Sequence, residues 1–186
     1  MHDTKNTLIK ILSFHRASRK AREDAAKWVL QHPKSITNLL QICFQEKKPL
    51  SHKAAWVLEI VCENNLTLLQ PHKTCFLINI KGLQDDQANR PYSKICFWLV
   101  KAHYKTQDFL LTKAEKQLLT EICFDWLITN QKVACEVFAM QSLLLLGNEF
   151  EWIYPELKTI LEQNIPHKST AYKSRALKCI DAIKNG

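Results

Sequence analysis

A chain of 186 residues in which 46% are hydrophobic and 24% charged is long enough to bury one sizeable core and too apolar for wholesale disorder. Only three glycines (Gly82, Gly147, Gly186) and the absence of GxGxxG and GxxxxGK(S/T) exclude the phosphate-cradling turns of nucleotide folds. The net charge of +8 is uneven: residues 1–50 carry 10 Lys and Arg against 4 acids, whereas residues 51–186 carry 16 against 14, so the basic character reads as N-terminal.

In chain order, Leu8, Ile9, Ile11 and Leu12 predict a short helix over Asn6 to Phe14. Ser18 offers an N-cap for a second helix through Ala21, Ala25, Trp28 and Val29, stopped by His32-Pro33. Ser35 begins a third, with Ile36, Leu39, Leu40, Cys43 and Phe44 inward, ended by Lys47-Lys48-Pro49. Ser51 is expected to cap a fourth, burying Ala54, Ala55, Val57, Leu58 and Val61 and stopping at Asn64-Asn65. After Pro71, the run Cys75 to Ile80 fits a strand or a helix, and its place between helical segments selects the helix.

Gly82 to Asn89 reads as a polar loop, and Arg90-Pro91 as a helix start with proline at the favoured first position. Ile95, Cys96, Trp98, Leu99 and Ala102 supply that helix's buried side. Thr112 caps a longer helix through Leu119, Ile122, Cys123, Trp126 and Leu127, with a stop near Asn130. Lys132 to Leu146 buries Ala134, Val137, Phe138, Met140, Leu143 and Leu144 and closes on Gly147-Asn148 as a left-handed cap. Trp152 to Asn164 and Ser169 to Asn185 complete ten helices in five pairs.

The second helices of the pairs align Ala25/Trp28/Val29, Ala54/Val57/Leu58, Ile95/Trp98/Leu99, Ala134/Val137/Phe138 and Lys173/Ala176/Leu177. The steps are 29, 41, 39 and 39 residues, and helix pairs recurring at about 40 match HEAT and armadillo spacing. On these residues the chain resembles HEAT-like, armadillo-type helical-repeat proteins, with Arg90-Pro91 as the best surviving consensus element. The resemblance implies an all-α, α-α superhelix of about five pairs forming one domain over residues 1–186, each pair covering its neighbour's apolar face. Lys173 and Arg175, and Arg16, Arg19, Lys20 and Lys27 in the first pair, fit terminal caps.

On such a scaffold the inner surface is expected to carry Lys53, Trp56, Lys94, Phe97 and Glu136, with Trp28 and Trp98 in equivalent buried positions. Arg16, Arg19, Lys20, Arg22 and Lys27 form a basic patch that either neutralises phosphates or makes a solvated face, interrupted by Glu23 and Asp24. HEAT-like alkylpurine DNA glycosylases are similar in size, charge and helical repeats, and that resemblance implies a carboxylate beside aromatic or Arg side chains in the groove. Here Glu156 is the carboxylate one turn after a tryptophan, Trp152, with Pro155 between them, and Asp125 beside Trp126 points to another face. The Ala-Ala-Trp-Val-Leu-Glu and Arg-Pro-x-x-Lys-Ile-Cys segments resemble short Bacteroidetes proteins often labelled adenylosuccinate lyase, although the Ser-Ser-x-Met-Pro loop of that chemistry is absent and the methionines, Met1 and Met140, lie in other contexts.

The seven cysteines stand singly, mostly in apolar runs, and read as free buried thiols. With an odd count, no CxxC and no apolar leader, a cytoplasmic protein is expected. His72 with Cys75, and Cys62 and His103 elsewhere, fall short of the three or four ligands of a zinc site; the other histidines (His2, His15, His32, His52, His167) are also isolated. No catalytic residues, metal or cofactor are expected. The functional expectation is a non-catalytic binding scaffold for a protein partner, with nucleic-acid binding or a DNA alkylation repair-like glycosylase as the alternative and no membrane association.

Overall fold

A computed structural model describes residues 2–16, 18–129 and 131–185, with side chains from residue 4 onward. Among them are ten α-helices and no strand: α1 His2–Leu12, α2 Arg19–Gln31, α3 Ile36–Gln45, α4 Leu50–Asn64, α5 Lys73–Ile80, α6 Asp86–Lys101, α7 Lys113–Ile128, α8 Val133–Leu146, α9 Ile153–Asn164 and α10 Thr170–Asn185. Short 3₁₀ turns cover Pro33–Ser35, Leu66–His72 and Ile165–His167, and α6 runs into a π turn at Ala102–Thr106. No helix among the described residues is long and apolar enough to cross a membrane. Asn130, expected near a helix stop, and the side chain of His2 lie outside what is described.

Two compact units are present, residues 1–79 and 80–186. In the first, α4 packs against both α2 and α3, and α1 leans on α3 and α4. Leu8, Val29, Leu39, Ile42, Leu58 and Val61 are wholly buried there. In the second, α8 is the hub, touching α6, α7, α9 and α10. It can be central because it is apolar nearly all round, so neighbours can pack on several of its faces.

Local signals explain most helix ends. Ser18 Oγ accepts from Ala21 N–H at 3.2 Å. Thr112 and Glu115 form a reciprocal capping box, Glu115 N–H donating to Thr112 Oγ1 at 3.3 Å and Thr112 N–H to Glu115 Oε2 at 2.8 Å. Thr112→Ala should lower stability by about 1 kcal/mol, read as a fall in the urea midpoint at unchanged slope.

Several expectations are corrected. Ser51 lies inside α4, because Lys47 C=O already accepts from Leu50 and Ser51 N–H at 3.1 and 3.4 Å and turns the chain earlier. The polar run after Gly82 is a helix start: Asp85 caps α6 by accepting from Gln87 and Ala88 N–H, so Pro91 falls in the second turn of the helix. Gly147 is right-handed (φ −59°), so it is no left-handed cap. Its lack of a side chain serves the Tyr154 ring, since a Cβ there would stand 2.6 Å from Tyr154 Cδ1. The ring is held by Tyr154 O–H donating to Asn148 Oδ1 at 2.9 Å. Gly147→Ala is therefore expected to destabilise by about 1–3 kcal/mol, although alanine favours helical backbone, and a second change of Tyr154→Leu should recover part of the loss in denaturant melts.

The buried pair also shifts in two of the five second helices. Ala25/Val29, Ala54/Leu58 and Ile95/Leu99 are buried as expected, but α8 buries Cys135/Ala139 and α10 buries Tyr172/Ala176, one residue later and one earlier than predicted. Leu177 is 51% exposed. Trp28 and Trp98 are half-buried like Trp56, and the fully packed tryptophan is Trp126.

Candidate functional site

Three second helices of the 80–186 unit, α6, α8 and α10, enclose a groove of about 290 Å³. Its floor is apolar: Phe97 from α6 and Leu144 and Leu145 from α8, all half-buried. Phe97 is fixed from behind by the Phe138 ring, with centroids 5.8 Å apart. Spacing on each helix explains the banks. Phe97, Lys101 and Lys105 recur every four residues along α6 and its π turn, placing both lysines on Phe97's side, while Arg175, Lys178 and Cys179 share one face of α10. Gln141 completes the lining, its amide donating to Val137 C=O at 3.1 Å.

Lys101, Lys105 and Lys178 are exposed and Arg175 is half-buried. Among the described residues none of the four forms a salt bridge, and no carboxylate lines the groove. Four like charges on low-dielectric walls sum to a positive potential, felt over roughly 8 Å at physiological salt. Burial pushes the Cys179 thiol up to about 11, with Arg175 pulling the other way.

Of the expected inner-surface residues, Phe97 lines this groove. Lys94 stands over the Trp98 ring at 4.7 Å. Lys53 donates to Phe14 C=O at 2.6 Å and sits over the Phe14 ring, and Trp56 is half-buried beside His52, both within the first unit. Glu136 differs from expectation: it is fully buried, on the side of α8 away from the groove floor, and its Oε1 accepts from Lys168 Nζ at 2.6 Å. Burial raises its carboxyl pKa and Lys168 opposes the rise. In the N-terminal patch, Arg16, Arg19, Lys20 and Lys27 are exposed, Arg22 is half-buried, and Arg19 is paired with Glu23 at 2.7 Å.

A second cleft, of about 510 Å³, lies where Trp152, 56% exposed, stacks on Phe124 of α7 with centroids 5.9 Å apart. The carboxylates that share it are Glu121 and Asp125, not Glu156, and Glu121 is bound by Lys81 at 2.6 Å. Nearby, Lys116 and the Tyr104 hydroxyl both donate to Glu149, which holds that carboxyl below its usual range and ties the π turn to the α8–α9 connection. His72 Nε2 lies 3.5 Å from Thr37 Oγ1, and among the described residues no three His, Cys, Asp or Glu side chains converge as metal ligands would.

Lys101, Lys105, Lys178, Leu144 and Leu145 lie outside the residues the sequence points to as a site, and Arg175 carries in the sequence only the mark of cap charge. The four-residue spacing Phe97-Lys101-Lys105 was the available signal. No family model, curated protein or solved structure matches the chain.

Proposed function

We propose that the chain is a non-catalytic binding scaffold, a HEAT-like α-α superhelix that offers the face of its second helices to a protein partner. The packing supports this reading: α2 lies against α4, and α6 against α8 against α10, second helix to second helix, while α1 meets α3 and α7 meets α9. The observation that carries it is the groove of α6, α8 and α10, where four cations without acidic partners flank an apolar floor. Apolar side chains at a rim of charge are the composition of a protein-binding patch. The groove's lining holds no carboxylate, the group that the glycosylase resemblance implies.

A photo-cross-linking amino acid at Gln141, activated in cells, tests the proposal. Adducts that survive nuclease and yield to protease support a protein partner; adducts lost to nuclease overturn it in favour of nucleic acid. That second reading draws on the exposed Lys20 and Lys27 of α2, and it requires affinity that falls steeply with salt as counterions are released.

A further inference from the structure

We infer that the partner's docking segment is an acidic amphipathic helix, seated along α8 with its apolar stripe on Leu144 and Leu145 and its acidic flanks against Lys101 and Lys105 on one bank and Arg175 and Lys178 on the other. This rests on the proposed function, that the face binds protein, and it names the chemistry of what binds.

The two banks decide the shape of the occupant. Positive charge stands on both sides of the apolar floor, on α6 and on α10, so a matching surface carries negative charge on both sides of an apolar stripe. A helix meets that requirement, because residues at i, i+3, i+4 and i+7 form a narrow stripe and the positions beside it point to either bank. An extended strand alternates sides, so acids placed between its apolar residues face solvent and leave both banks unmatched. Nucleic acid would satisfy the cations but leave the leucine floor against phosphate or sugar. Single strands also need stacking platforms, and Phe97, the one aromatic ring in the groove, already packs on Phe138. The exposed cations steer encounter and fix orientation, while the floor supplies the buried apolar contact that slows release.

Fluorescence anisotropy with the full chain tests this. The probe is a labelled peptide of about 18 residues with Leu at i, i+3, i+4 and i+7 spacing and Glu on both sides of the stripe. Controls are a peptide of the same composition scrambled so that the leucines share no face, and an unlabelled oligo-dT competitor. The striped peptide is expected to bind at least about tenfold more tightly than the scramble. Lys101→Glu with Lys178→Glu should weaken it by roughly tenfold or more, and Lys20→Glu with Lys27→Glu, the same charge change on α2, by less than about threefold. These positions are exposed, so both variants should keep the wild-type melting profile; Lys101→Gln with Lys178→Gln provides a milder pair expected to weaken binding in the same direction. Equal binding of the scramble, equal losses from groove and α2 reversals, or displacement by oligo-dT at peptide-like concentrations overturns the inference. If the striped peptide fails to bind while nuclease-resistant protein adducts persist at Gln141, the acidic helix is wrong and the scaffold reading stands; if those adducts are absent too, both fall.

Discussion

Replacing Lys168 with Met should cost about 3 kcal/mol at neutral pH, among the largest effects of any single polar substitution in this chain. Glu136 is fully buried, its Oε1 is held by Lys168 Nζ at 2.6 Å, and its Oε2 has no hydrogen-bond partner. Removing the cation leaves a buried carboxylate with its nearest compensating charge gone, the case in which breaking a pair costs far more than the pair contributes. Lys168 is 21% exposed in its side chain, so water can approach from that end, which places the effect at the lower end of the range for buried pairs. Removing both charges with Glu136→Gln and Lys168→Met should restore most of the loss.

The pH dependence separates this cause from lost packing. Burial raises the folded-state pKa of Glu136 above the ordinary value of 4.5, so the folded protein binds that proton more tightly than the unfolded chain. The resulting stabilisation is fully present below the unfolded value and is lost as pH rises through the folded one. Without Lys168 the folded value rises further. The deficit of Lys168→Met should therefore be small near pH 4.5 and widen toward pH 7, measured as the difference in urea midpoint from wild type. A deficit of the same size at both ends would mean that the lost contact with the Tyr172 ring, 5.6 Å from Nζ, carries the effect instead.

The burial of Glu136 shows where the sequence stops being informative. Helices were legible wherever one face was apolar and the other polar: Leu39, Leu40 and Cys43 of α3 are buried as their spacing implies, and Thr112 with Glu115 marks the start of α7. In α8 the side chains are apolar in all directions, so spacing picks no face, and which residues pack innermost depends on the helices around it. Hence the one-residue shift to Cys135 and Ala139, and the misplacement of Glu136, whose cation lies 32 residues away. The groove was hidden for a different reason. Residues 51–186 nearly balance in charge, but the balance is spatially sorted: Glu121 and Asp125 line the cleft beside Trp152, while Lys101, Lys105, Arg175 and Lys178 line the groove. Counting along the chain averages what the fold separates.

Thiol reactivity offers a test of that packing that needs no partner. Cys75 is exposed, with Asn79 Nδ2 donating to its sulfur at 3.5 Å, and the other six cysteines are buried. A maleimide added to the native protein should therefore consume one thiol quickly, and Cys75→Ser should abolish that phase. Two barriers slow the rest. The reagent must wait for an opening, which for a domain of ordinary stability lowers the rate by about 10³-fold or more. The thiolate is the reacting form, and burial pushes Cys123 to about 12 and Cys96 well above its ordinary 9.0, where Cys123 and Cys135 are its neighbours. Among the buried thiols of the 80–186 unit Cys179 should react first, because its thiol is raised only to about 11, Arg175 opposes the rise, and the residue lies at the edge of the groove. Mass spectrometry of timed quenches gives the order directly. Loss of Cys96, Cys123 or Cys135 in the fast phase would show that the helices around α8 do not close over them. Selective protection of Cys179 by the striped acidic peptide, with Cys75 unaffected, would place that peptide against α10 without relying on any binding curve.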